Sequence, residues 1–235
     1  MDQIKSHARH AGLLYLSLAL IAPFSLSYVP SVLSAAGGVS AATISKHQML
    51  LQFSVTSELV YQLLEIYIVL SLYALFRGVD RRLALQMLIL GLLPIPIVFL
   101  NELTAIGSMM VANGLGPLGP AAQNMTAVFF HDLHQRGLVL ASIFWGFWLF
   151  PLGRLIRASN FLPNLLGWSV IIGGLGYVVR AIVVLGPHGL YPDAATGLAT
   201  SVAEVMILGE VPIIAGLLWL GFRRTESAKA QLQRG

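Results

Sequence analysis

The chain has 235 residues, 57% of them hydrophobic and 10% charged, with a mean hydropathy of +0.79 and a formal net charge of +4. A soluble domain carries about a quarter charged residues, so most of this surface is expected to face lipid. The lack of cysteine excludes disulfides, thiolate metal sites and cysteine nucleophiles.

About 20 apolar residues cross the hydrocarbon core as a helix. Six such spans are predicted, at about 12–33, 53–76, 83–112, 137–156, 165–185 and 199–222, giving an all-α polytopic transmembrane bundle in a single membrane domain, 1–235. The first span follows the basic stretch Lys5 to His10. It ends in Ser34-Ala-Ala-Gly-Gly38, which imitates a cleavage site, but five further spans make a signal anchor the expectation. The second carries Glu58, Tyr61, Gln62 and Glu65, a spacing that puts all four on one helical face as a polar stripe. The third holds Pro94 and Pro96, which predict a kink, and then Asn101 and Glu102.

Asn113 to Pro120 reads as a Gly/Pro loop, and the amphipathic stretch Ala121 to Arg136 leads into span four. Within that stretch lies Phe130-His131-Asp132-Leu133-His134. Histidines at i and i+3 share a face and can give two imidazoles to one metal ion; Asp132 points elsewhere on the same helix. Phe144, Trp145, Phe147 and Trp148 in span four read as packing or lipid-facing aromatics. Span five holds Gly173, Gly174 and Gly176, suited to close helix contact, and Arg180. Span six holds Glu204, Glu210 and the kinking Pro212, and His188 and Asp193 precede it in an outer loop expected to be solvated.

Basic residues set the orientation. With both termini cytoplasmic, eleven of the fourteen Lys and Arg fall on the cytoplasmic side, leaving Lys46 and Arg136 outside and Arg180 within a span. The basic pI near 9.6 is therefore a topology signal, and no nucleic-acid partner is implied. In this orientation the intramembrane acids run from the midplane (Glu65, Glu210) outward (Glu102, Glu58, Glu204), with Arg180 also in the outer half.

A charge within a span costs at least ~2.5–3.5 kcal/mol on insertion scales and needs a partner or a wet cavity. One arginine against five acids leaves four carboxylates to be protonated, hydrated, hydrogen-bonded to groups such as Tyr61 and Gln62, or bound to an ion. This surplus favours an outward-facing functional cavity over a purely structural ion pair of Arg180 with Glu204 or Glu102. In that cavity His131 and His134 are candidate ligands for a divalent metal such as zinc. Glu58, Glu102 or Glu204 would complete the set, and Glu102, Glu204 and Arg180 are the candidate catalytic residues of a membrane-embedded hydrolase. The expected partners are the bilayer and a lipid head group or small polar ligand entering from outside. Glu58, Tyr61, Gln62, Glu65, Asn101, Asp132 and Glu210 are candidates for ligand binding or for a proton path in a proton-linked carrier. A non-catalytic accessory subunit is a third reading. The chain has no phosphate loop, GxSxG elbow or HExxH motif, and no deep histidine pair at haem-ligand spacing.

Three stretches carry a family resemblance: Arg9 to Tyr15 entering span one, Asp132 to Gly137 entering span four, and Leu152 to Gly167 continuing to Gly174-Leu-Gly-Tyr177. In order and spacing the chain resembles the bacterial domain of unknown function 4386 family. It departs in the first outer loop, where Gly37-Gly38-Val39 stands in place of a common Gly-Asp pair. The resemblance implies a multi-pass protein of the bacterial cytoplasmic membrane and supplies no activity.

Overall fold

A computed structural model of the protein describes residues 2–187 and 193–223. Every regular element among them is helical. Six stretches are long and apolar enough to cross a membrane: Asp2–Ala35, Gln48–Phe76, Arg81–Ala112, Pro120–Ala158, Asn164–Leu185 and Gly197–Phe222. The largest difference from the predicted boundaries is at span four. Its helix starts at Pro120, seated at the first helical position after Gly119, and runs unbroken through the amphipathic stretch. His131 and His134 are therefore inside a long helix, within two turns of the apolar run that hydropathy detects.

Proline punctuates four of the spans, because it cannot donate to the carbonyl four residues earlier. Span one comprises α1 (Asp2–Pro23), a π-helical turn (Phe24–Tyr28) and α2 (Val29–Ala35), with Pro30 at the start of α2. A short α3 (Ala41–Lys46), capped by Ser40 through the Thr43 amide at 3.1 Å, leads to the unbroken α4 (Gln48–Phe76). Span three divides at Pro94 into α5 (Arg81–Leu92) and α6 (Pro94–Ala112). Span four divides before Pro151 into α7 (Pro120–Phe147) and α8 (Leu149–Ala158). After α9 (Asn164–Leu185), span six consists of α10 (Asp193–Ile207), a 3-10 turn (Leu208–Glu210) and α11 (Pro212–Phe222). Pro212 leaves the Leu208 carbonyl free to accept from the Val211 amide at 3.1 Å, which tightens the turn bearing Glu210.

The bundle is unevenly filled. The largest apolar core lies at the end where α1 begins and α11 stops, with Ile68, Leu72, Phe76, Met87, Leu149, Leu152, Ile156 and Leu217 fully buried. Toward the loops at 36–47 and 113–119 the apolar clusters shrink to Ile44, Met109, Ala112 and Ala127 in one and Val98, Leu138 and Ala141 in the other. The first and last spans meet end to end. Lys5 Nζ donates to the Arg223 carbonyl at 3.1 Å, and the Arg9 guanidinium sits 5.8 Å from the Phe222 ring. Close helix approach in span five follows the glycines: a Cβ on Gly176 would meet the Ala203 carbonyl at 2.7 Å, and one on Gly173 would meet the Glu210 amide at 3.1 Å. His188, the Asp193 side chain and the charged tail from Arg224 lie outside the described residues.

Candidate functional site

The stripe on α4 provides the first component. Glu58, Tyr61, Gln62 and Glu65 are all buried against neighbouring helices, as their common face requires. Across from Glu58, α6 presents Glu102 and α7 presents His134, both buried. One ligand atom from each of Glu58, Glu102 and His134 lies within 4.8 Å of the other two. His134 Nε2 is 3.6 Å from Glu58 Oε2.

Asn101 fixes the imidazole. Its Nδ2 donates to the His134 carbonyl at 2.9 Å, and the same amide nitrogen faces His134 Nδ1 at 3.0 Å. Gly137 makes this possible: a Cβ there would occupy the space of the Asn101 amide. The α6–α7 contact is further held by Ser108 Oγ donating to the Ala127 carbonyl at 2.8 Å. With Nδ1 engaged, Nε2 is the nitrogen turned toward the carboxylates.

These carboxylates are poorly served by the protein. Glu58 Oε1 accepts from Ser54 Oγ at 3.3 Å. Glu58 Oε2 and both oxygens of Glu102 are buried with no hydrogen-bond partner, as are the Tyr61 hydroxyl and both polar atoms of Gln62. An unsatisfied buried polar group costs about 1–3 kcal/mol, more when charged. Among the described residues no lysine or arginine forms an ion pair with either glutamate. Beside the cluster lies a cavity of about 30 Å³, lined by residues that include Ser25, Ser54, Glu58, His131, His134 and Gln135. It is large enough for a water molecule or an ion.

The remaining sequence candidates are dispersed. His131 is half-buried and borders the small cavity, but it does not join the cluster, so the two histidines are not paired as expected. The i, i+3 offset turns one ring into the α6 interface and the other along it. Asp132 is exposed, consistent with its pointing elsewhere. Glu204 is exposed on α10, Arg180 is half-buried on α9, and among the described residues neither forms an ion pair with the other or with Glu102. The structural ion pair, the alternative to a functional cavity, is therefore not formed among the described residues, and neither residue belongs to the cluster.

Glu65 and Glu210 form a second acidic region near the middle of the bundle. Tyr15 and Tyr177 donate to Glu210, one to each carboxylate oxygen, the latter at 3.2 Å. Tyr15, Tyr177 and Trp145 are functional-region residues that the sequence reading left as motif or packing positions. Trp145 and Trp148 both border a cavity beside Glu65, and Trp148 is almost fully buried. A tyrosine in the middle of an apolar span is itself a signal, because its hydroxyl needs a partner there.

The two comparisons made beyond family level, with curated proteins and with solved structures, find no match. The family comparison does: the profile of the domain of unknown function 4386 matches residues 10–222, a range that takes in all six spans, Asn101, Gly137 and every member of both acidic regions. The chain belongs to the domain of unknown function 4386 family.

Proposed function

We propose that this is a multi-pass protein of the bacterial cytoplasmic membrane, with both termini in the cytoplasm, that binds a divalent cation through Glu58, Glu102 and His134. The observation that carries this reading is the convergence of two carboxylates and one imidazole from three helices, with three of the four carboxylate oxygens lacking a hydrogen-bond partner. Two adjacent buried carboxylates repel unless a cation or a proton lies between them. His-plus-carboxylate sets suit zinc and related first-row ions, with ligand distances near 2.0–2.2 Å. Closing onto such an ion from a 4.8 Å spread requires side-chain shifts of about 1 Å. Asn101 would act as the outer partner that orients the histidine ligand, its backbone carbonyl 3.4 Å from Nδ1 and its side chain holding the His134 carbonyl. The adjacent cavity supports binding of an ion with a water molecule over hydrolysis of a lipid head group, since about 30 Å³ leaves no space for a scissile group.

The test is elemental analysis of purified protein after loading with zinc or manganese and dialysis. One ion per chain is expected in the wild type and in His131→Ala, and none in Glu102→Gln or His134→Ala. Wild-type protein that stays folded and retains no divalent ion refutes the proposal.

One observation favours a second reading. His134 Nε2 lies 3.6 Å from Glu58 Oε2, a separation that a small side-chain shift turns into a shared proton. In that state the cluster holds a shared proton in place of a metal, as a proton-linked carrier would use. An infrared band of a protonated carboxyl that disappears in Glu102→Gln supports this alternative, and metal-free protein lacking such a band removes it.

A further inference from the structure

The second acidic region opens onto an apolar cavity of about 190 Å³ between α1, α4, α7, α9 and the turn before α11. Four aromatic rings frame it as two pairs. Tyr15 and Trp148 have ring centroids 6.3 Å apart, and Trp145 meets Tyr177 edge to face at 6.3 Å. Glu65 and Glu210 are its acidic groups, and among the described residues no lysine, arginine or histidine lines the space. Glu210 accepts at both oxygens from tyrosine hydroxyls, which hold its side chain in place. Tyr61, 3% exposed, also lines the cavity, and its buried hydroxyl has no hydrogen-bond partner.

The rim faces lipid. Leu26 is 43% exposed, Val211 54% and Leu208 62%, and all three lie in membrane-spanning stretches. A ligand therefore enters sideways from the bilayer and must itself be partly apolar. Aromatic faces around a carboxylate attract a weakly hydrated cation, and more strongly where the ring contact is desolvated. The volume is below the ~300–1,000 Å³ of pockets that take drug-sized ligands, so it suits a small head bearing an apolar tail.

We propose that this cavity is a binding site for a lipophilic organic cation, an amine or quaternary ammonium, held between the aromatic pairs and neutralised by Glu65 and Glu210. The site is separate from the Glu58–Glu102–His134 cluster and does not depend on metal binding there.

The probe is benzyltrimethylammonium, titrated calorimetrically into detergent-solubilised full-length protein. Its comparator is neopentylbenzene, the neutral molecule of the same shape. Saturable binding of the cation is expected, at least tenfold tighter than the neutral compound. Glu65→Gln should weaken the cation at least tenfold and Tyr61→Phe severalfold, while Glu204→Gln, on the exposed face of α10, leaves it unchanged. Equal affinity for the neutral molecule would mean an apolar lipid groove only and overturns the proposal, as does the absence of saturable binding or wild-type affinity in Glu65→Gln. If Glu65→Gln fails to fold, the comparison of the two probes on the unaltered protein still decides.

Discussion

The two acidic regions share one face of α4 and differ in what the rest of the bundle brings to them. Around Glu210, Tyr15 and Tyr177 each donate a hydroxyl, so both carboxylate oxygens are occupied. Around Glu58 and Glu102, the only side-chain hydroxyl among the described residues that reaches an oxygen is that of Ser54, and three oxygens are left over. The residue types are alike and the depth differs by about two helical turns. The supply of donors therefore separates a carboxylate held as part of the framework from one whose bonding the described residues leave open. In the framework region, the polar groups surround an apolar space; in the other, they converge on a point.

Substitutions can break this contrast. The largest effect is expected for Glu102→Gln, which replaces a charged ligand by a neutral amide and should abolish stoichiometric metal retention while the protein remains monodisperse in detergent. Acid should act in the same direction. Metal ligands must be deprotonated, so the apparent metal constant measured by competition with a chelator should fall as pH falls and recover on neutralisation. Next is Asn101→Ala, which frees His134 to rotate. Loss of such an orienting partner costs about 10–100-fold in metal affinity, measurable by the same competition.

Gly137→Ala should give a similar loss together with a lower melting temperature, because its Cβ takes the place of the Asn101 amide. Overpacking of this kind costs about 1–3 kcal/mol. The smallest effect is expected for Tyr177→Phe, which removes one hydrogen bond to Glu210 and should cost about 1 kcal/mol, read as a modest drop in melting temperature with metal affinity unchanged. If Tyr177→Phe instead released metal, the two regions would be one coupled site and the contrast would fail.

Much of the architecture was legible before any coordinates. Six apolar stretches gave the number of spans, the proline positions gave the breaks in spans three and six, and the 58–61–62–65 spacing gave a buried polar face. These follow from local rules: hydropathy over a helix length, the missing proline donor and the 3.6-residue period. The midspan glycines also read correctly as points of close contact, since lack of a side chain acts wherever the helix happens to pack.

The sequence alone established that α4 buries two acids and that α6 and α7 carry an acid and two histidines near the same end. Only the tertiary structure decided which of them meet. His134 joins Glu58 and Glu102 while His131, one turn away, stays at the edge, because helix rotation is set by the whole α6–α7 interface. Glu204 and Arg180, equally conspicuous in the sequence, come to rest apart. Asn101 owes its grip on His134 to a glycine thirty-six positions away. Such contacts depend on side chains distant in sequence settling into one packed interior, and no periodicity along a single helix encodes that.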